Sequence, residues 1–250
     1  MARLSDIVSY CDKRINLCGI RDFPGAHNGL QFENGGQVHR IGAAVDAGLE
    51  PFREAARRKI DFLIVHHGMF WDGFAPVVGP VFQKVNTLVS GNCAVYGAHL
   101  PLDLHPEIGN NALLARRLGL ELTGTFLPYE GNDVGILTRG TSREALAQRL
   151  QEEFPHTFAR VEFGSAHPER IAILTGSGQS AVPHLKAAGV DTLITGELKQ
   201  NSFNRAQEEG LNLYMCGHYR TETFGVCALA REVAERFGLD WEFIETSCPI

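Results

Sequence analysis

No stretch of this chain is apolar over the ~20 residues that a membrane-spanning helix needs. No two cysteines stand at the CxxC spacing of a zinc ribbon or a dithiol redox site. The six cysteines, at positions 11, 18, 93, 216, 227 and 248, form no regular framework, and several lie in apolar contexts. They read as reduced core thiols. Basic charge is also scarce, with 23 Lys and Arg against 29 Asp and Glu for a net charge of −6. That balance argues against a general nucleic-acid surface, which needs clustered cations. Arg57-Arg58-Lys59 and Arg116-Arg117 read instead as solvated helix faces. Met1 to Tyr10 lacks the basic-then-apolar order of a secretory signal, so a cytoplasmic location is expected. Low-complexity tracts and long linkers are missing too.

What is present is a chain of 250 residues, long enough to bury a substantial core without staples. Strand-like and helix-like segments alternate. Helices are predicted at 3–18, 49–58, 81–90, 110–118, 142–153, 181–188, 203–209 and 226–237 from apolar periodicity and caps. Strands are predicted at 38–45, 61–65, 94–98, 134–137, 159–163, 171–174, 191–195, 213–216 and 241–244. Such alternation predicts an α/β fold with helices covering a sheet. The Gly/Pro/Asn-rich stretch 22–36 reads as a loop. Thr123–Asn132 reads as the boundary between a first lobe, 1–126, and a second, 127–250.

Residues 41–68 align with 171–198 without a gap. Ile41 meets Ile171, Gly48 meets Gly178, and the Asp-x-Leu-Ile run at 61–64 recurs at 191–194. Each copy runs on to a small residue and a histidine, Ala98-His99 and Gly217-His218, with Asp103 and Glu222 four residues later. Either two generic strand-helix-strand units look alike here, or the chain carries an internal repeat. On both readings the polar groups fall at carboxyl ends of strands, where α/β sheets bind ligands.

His66-His67 directly follows the apolar strand 61–65. An isolated pair of this kind is more often one core and one surface histidine. The other strand ends shift that balance, because they bring Asp103, His218 and Glu222. If the turn after His218 is helical, the i,i+4 spacing puts His218 and Glu222 on one face. Three imidazoles and two carboxylates suit two metal ions, since one zinc would be crowded beyond its usual four ligands. Two ions in such a site lower the pKa of water and stabilise developing negative charge.

At this point the chain resembles the Nif-three-like family, whose bacterial members are known as GTP cyclohydrolase 1 type 2 homologues. The resemblance rests on His27-Asn-Gly-Leu-Gln31, Ile64-Val-His-His-Gly-Met-Phe-Trp71, the run from Ala98 to Glu107 with Gly109-Asn-Asn-Ala112, Thr175-Gly-Ser-Gly-Gln179, Ile194-Thr-Gly-Glu197 and Gly217-His-Tyr-Arg-Thr-Glu222. It spans essentially the whole chain and matches the short bacterial form. It implies two interlinked, similar α/β lobes with mixed sheets flanked by helices and a metal site in the cleft between them. It implies that His66, His67, Asp103, His218 and Glu222 hold two divalent ions per chain (iron, zinc, manganese or nickel), and that the chain forms a ring-shaped homohexamer. The family's cyclohydrolase label brings no demonstrated reaction with it.

Around these ligands, His99 reads as a ligand, an acid/base group, or a donor that orients Asp103. Glu197 reads as a proton-transfer carboxylate or a neighbour of a helix cap. Asn28, Gln31 and Arg220 are candidates for substrate contact, the two amides equally for loop tethering and Arg220 for pairing with a neighbouring acid. Gly176-Ser-Gly178 gives a weak anion-site signal, and Phe70 and Trp71 read as packing more than as a base-stacking platform. His39, His105, His156, His167 and His184 read as exposed. The expected function is metal-dependent hydrolysis of a nucleotide, purine ring or phosphoester. The alternative is a non-enzymatic metal-binding, metal-delivery or regulatory protein. A ring enclosing DNA fits the charge poorly.

Overall fold

The computed structural model describes residues 1–246, 248 and 249. The chain divides into two compact units, Met1–Leu102 with residues 225–246, and Asp103–Phe224 with residues 248 and 249. The 126/127 boundary expected from the sequence falls inside a strand, Leu122–Tyr129, that pairs wholly within the second unit. The Pro and Gly residues of that stretch belong to a hairpin. Its two-residue tip, Glu130-Gly131, has φ of 48° and 86° at the two positions, the left-handed pair that a tight hairpin turn requires.

The first unit is built on a five-stranded sheet in the order Asp240–Phe243, Arg40–Asp46, Phe62–His67, Ala94–Gly97, Gly29–Phe32. The first four strands run parallel and the last is antiparallel to its neighbour. Ile41, Phe62, Leu63, Ile64, Val65 and Val95 are wholly buried, as expected for parallel strands covered on both faces. The helices Leu4–Arg14, Leu49–Arg57, Gly79–Gly91 and Thr223–Phe237 surround it. Arg14 pairs with Glu232 at 2.7 Å, and Arg58 with Glu242 at 2.7 Å, fixing the returning C-terminal segment.

The second unit carries a six-stranded mixed sheet in the order Leu122–Tyr129, Asn132–Arg139, Arg170–Ser177, Thr192–Glu197, Asn212–Met215, Ala159–Glu162. Three of its four inner strands, Arg170–Ser177, Thr192–Glu197 and Asn212–Met215, are parallel. The helix Arg143–Glu153 is capped by Ser142, whose Oγ accepts from Ala145 N at 3.2 Å. These are the mixed sheets flanked by helices that the sequence predicts. Among the described residues, no helix is long and apolar enough to cross a membrane.

Two expectations fail locally. Residues 181–188 form only a short 3₁₀ turn, Val182–His184, where Ala181 and His184 donate back three residues instead of four. Pro183 brings no amide proton to extend a helix. The stretch 22–36 is not all loop, since Gly29–Phe32 pairs with Ala94–Gly97 as the edge strand.

The internal repeat is visible as shared strand register. Gly42, Ala43 and Ala44 oppose Leu63, Ile64 and Val65. Their aligned counterparts Ala172, Ile173 and Leu174 oppose Leu193, Ile194 and Thr195. On the next strand, Ile64 opposes Tyr96 and Ile194 opposes Tyr214. Ala98 N donates to Val65 O at 2.8 Å, as Cys216 N does to Thr195 O at 2.9 Å. Ala98 therefore corresponds to Cys216 and His99 to Gly217. His218 lies one residue beyond the position read from sequence, because Gly217 (φ 92°) inserts a left-handed step.

The repeat extends to buried chemistry. Tyr96 and Tyr214 are both fully buried. Each donates its hydroxyl to a carboxylate, Asp12 Oδ1 at 2.8 Å and Glu162 Oε1 at 2.9 Å. Burial first, and then the adjacent carboxylate, push both phenols well above their ordinary range, so both remain donors. A hydrogen bond to a charged acceptor contributes about 1.5–3 kcal/mol. Tyr96→Phe and Tyr214→Phe are each expected to lower unfolding free energy by about that amount, read from urea denaturation midpoints. A loss under about 0.5 kcal/mol in both would show that the pairs do not hold the sheets.

Candidate metal centre

On the first unit, three imidazoles converge at the carboxyl end of the central strand. His66 and His67 are its last two residues. Neighbours on a strand normally diverge to opposite faces. Here their ring centroids stand 5.0 Å apart, and His99 lies 4.8 Å from His66 and 5.8 Å from His67. One candidate ligand atom from each of the three falls within 4.8 Å of the others. In a tetrahedral site with bonds of ~2.1 Å, ligand atoms stand about 3.4 Å apart, so the three nitrogens would have to draw together to share an ion.

Each ring is aimed by its far nitrogen. His66 Nδ1 lies 2.8 Å from Ala98 O, beyond the strand on one side. His67 Nδ1 lies 2.8 Å from Asp46 Oδ1, at the end of the strand on the other side. His99 Nδ1 lies 2.8 Å from Asp22 Oδ1. A carbonyl or carboxylate can only accept, so Nδ1 is the protonated nitrogen in each ring. Nε2 then carries the lone pair. Metal-ligating histidines characteristically donate their second nitrogen in this way.

Asp22 is the residue that sequence reading missed. Its side chain is 6 % exposed. It accepts from His99 Nδ1, Asn28 Nδ2 at 2.7 Å, Leu100 N at 2.8 Å and Phe23 N at 2.6 Å. Burial raises its pKa, but the His99 hydrogen bond and charge, with those of Asn28 and Phe23, outweigh it and leave the group below its ordinary range. Asn28 Oδ1 accepts from His99 N at 2.7 Å. Gln31 Nε2 donates to His27 O at 2.7 Å and its Oε1 accepts from Met69 N at 2.6 Å. Both amides named as substrate contacts thus tie the 22–31 segment to its neighbours. Asp46 was missed as well, although its place at a strand end beside His67 was a usable signal.

On the second unit, the short helix His218–Thr221 leaves His218 and Glu222 on one face, as the spacing predicts. His218 Nε2 lies 3.2 Å from Glu222 Oε1, and its Nδ1 lies 3.0 Å from Glu197 Oε1. Burial alone would lower the His218 pKa. Hydrogen bonds and charge from Glu222 and Glu197 prevail and raise it to about 9. Glu222 is 3 % exposed. It fits here because Gly176 has no side chain, since a Cβ at that position would run into Glu222 Oε1 and approach His218 Nε2 to 3.2 Å. Thr221 Oγ1 accepts from Gly176 N at 3.0 Å and locks the two segments together. The glycines at 176–178 therefore serve close approach, and only a 3₁₀ turn follows them, with no full helix to offer an anion its N-terminus. Asp103 is buried and accepts from Asn110 Nδ2 at 2.7 Å. Arg220 lies over the Tyr219 ring at 5.8 Å.

The donor set is imidazole and carboxylate without thiolate, which fits zinc, iron, manganese or nickel. Two outcomes test these contacts. Because the Asp22 pKa is depressed, its contribution to stability is complete above its ordinary 3.8 and lost as pH falls through the folded value. Asp22→Asn should remove that acid-side dependence of the melting temperature, and an unchanged profile would show that the contacts contribute nothing. Gly176→Ala should destabilise by about 1–2 kcal/mol through its left-handed φ alone and displace Glu222. A variant of wild-type stability would contradict the packing.

With this geometry established, comparison with known proteins gives one answer. The profile of the Duf34/NIF3 (NGG1p interacting factor 3) family matches residues 2–249. The GTP cyclohydrolase 1 type 2 homolog of Deinococcus radiodurans is 38% identical over 220 residues, 87% of this chain and 84% of that one. The Escherichia coli protein of the same name is 36% identical over 249 residues, 98% of each. The crystal structure of TTHA1606 from Thermus thermophilus is similar over 100% of both chains, with a TM-score of 0.88 and 38% identity. The two α/β units with their strand-end histidines and carboxylates thus have a family: the chain belongs to Duf34/NIF3.

Proposed function

We propose that this chain is a dinuclear-metal hydrolase acting on a nucleotide, purine ring or phosphoester. In this reading His66, His67, Asp103, His218 and Glu222 hold two divalent ions. The observation that carries the proposal is the common orientation of four histidines. His66, His67, His99 and His218 each have Nδ1 against an acceptor, which leaves Nε2 of His66, His67 and His218 to coordinate and that of His99 to take up a proton. The exposed His39 also turns Nδ1 to a carboxylate, Asp61 Oδ2 at 2.9 Å, so what distinguishes the four is their gathering at strand ends beside other ligating side chains. The family resemblance supports reading the two half sets as one centre.

Bound divalent ions supply Lewis acidity, lowering the pKa of water and stabilising negative charge that develops in a transition state. The chain's own groups would do the rest. His99 is backed by Asp22, which fixes its tautomer so that Nε2 is the nitrogen able to take up a proton. Glu197, with a side chain 47% exposed, can exchange protons with solvent while orienting His218. Arg220, half-buried beside the His218 turn, offers a guanidinium to a phosphate or carboxylate. The name shared by the curated relatives, GTP cyclohydrolase 1 type 2 homolog, supports a nucleotide or purine substrate. A ring-shaped homohexamer in the cytoplasm completes the proposal, supported by the family resemblance and by six free cysteines.

Metal analysis of protein purified without chelator tests the first step, with about two first-row ions per chain expected. His66→Ala and His218→Ala should each lower that content, whereas His99→Ala should keep the ions and lose turnover on GTP and phosphoester panels. Near-zero metal would sink the proposal. Full metal with rapid exchange and no turnover would replace it with a metal-delivery role, and light scattering decides the hexamer.

A further inference from the structure

Phe23, Trp71 and Phe74 are 42%, 39% and 76% exposed, and the first two lie against the three-histidine cluster. Trp71 meets His99 with ring centroids 4.8 Å apart at 71°, and His67 at 5.6 Å and 62°. Phe23 stands 6.5 Å from Trp71 at 77° and 5.8 Å from His99. Two open aromatic rings nearly at right angles thus form a corner whose base is His99. Beyond them Phe70 and Phe74 pack at 4.7 Å, with His27 at 5.2 Å from Phe74.

This corner is held in place from behind. Gln31 bridges His27 O and Met69 N. Gly25 packs so closely on the Trp71 carbonyl that a Cβ there would collide with it. Gly73 N returns to Phe70 O at 2.9 Å, closing the turn that carries Trp71. A wall of large rings held ready yet left open to solvent is the form of a binding subsite, not of a core.

The perpendicular pair suits a planar aromatic guest, which stacks on one ring while turning its edge to the other. Neighbouring imidazoles, and any cation they bind, disfavour a positively charged guest. The Nε2 lone pairs favour an N–H edge on the guest, and a bound cation favours ring nitrogens and carbonyl oxygens. We infer that the Phe23–Trp71 corner binds a planar heteroaromatic ring of about purine size and sets its polar edge beside His99. Trp71 is then a specificity-determining residue. This rests on reading the cluster as a metal position.

The test uses the full-length protein, as purified and after zinc loading, with guanosine 5′-monophosphate and ribose 5-phosphate as probes in calorimetry. The probes share a sugar phosphate and differ in the ring. Trp71→Ala should weaken nucleotide binding about tenfold, the size of one lost base-stacking contact. It should leave ribose 5-phosphate binding and metal content unchanged, and Trp71→Phe should retain most of the affinity. The inference is overturned if both probes weaken equally, if Trp71→Ala leaves nucleotide affinity intact, or if the nucleotide binds no better than the sugar phosphate. It is also overturned if Trp71→Ala or Phe74→Ala dissociates the assembly in sedimentation, because the patch would then join copies of the chain. Trp71-dependent nucleotide binding by a wild-type protein that holds no metal would support the ring subsite while removing the metal reading.

Discussion

The hydrogen bond from a histidine Nδ1 to an acceptor at a neighbouring strand end is the interaction on which the site depends. An imidazole free to rotate offers either nitrogen in either of two tautomers. One bonded through Nδ1 offers a single lone pair in a single direction. In the first unit the acceptors come from both sides of the central strand, Asp46 on one side and Ala98 O on the other. The parallel sheet sets that spacing. Strands in register deliver their C-terminal residues together, and the sheet's burial leaves their backbone no freedom to drift. The fold therefore pre-organises the donor set as a by-product of its hydrophobic core.

The same construction is used twice with different residues. At the strand end where the first unit has His67, the second has Glu197, and the roles of ring and acceptor are exchanged. Glu197 supports a histidine from the following segment, whereas His67 is itself supported by Asp46. A one-residue step at Gly217 accompanies the exchange, placing His218 on a helical turn instead of directly on the strand. The twin tyrosines, one bonded to a carboxylate on a helix and the other to a carboxylate on the neighbouring strand, show that the duplication includes buried polar pairs as well as apolar patterning.

Most of the fold was legible because buried parallel strands read as unbroken apolar runs, and 61–65 and 191–195 could hardly be anything else. The edge strand Gly29–Phe32 was not legible. It is short, follows a Gly/Pro-rich stretch, and acquires its identity from an antiparallel partner distant in sequence. Leu122–Tyr129 was hidden by Gly124 and Pro128, residues that usually punctuate structure, although the Glu130-Gly131 tip was a local clue. The strand-end histidines were legible in type and spacing. Their supports were less so. Asp22 lies far in sequence from His99, in a loop without periodicity, and only tertiary structure brings it to the ring. Trp71 looked like packing because apolar composition alone does not tell a ring facing a core from one facing solvent.

Gln31 gives the edge strand a significance beyond pairing. Its amide sits where Gly68 and Gly97 have no side chains, and it joins the 22–31 segment to the turn carrying Trp71. The segment that supplies Asp22 to His99 and the turn that supplies the aromatic corner are therefore fastened through one side chain on the outermost strand. Edge strands are among the regions that open first in a native protein. Displacing Gln31 would therefore reach the histidine alignment and the aromatic surface together. The polar and apolar faces of the site thus share one anchor, and a change at that anchor is felt on both.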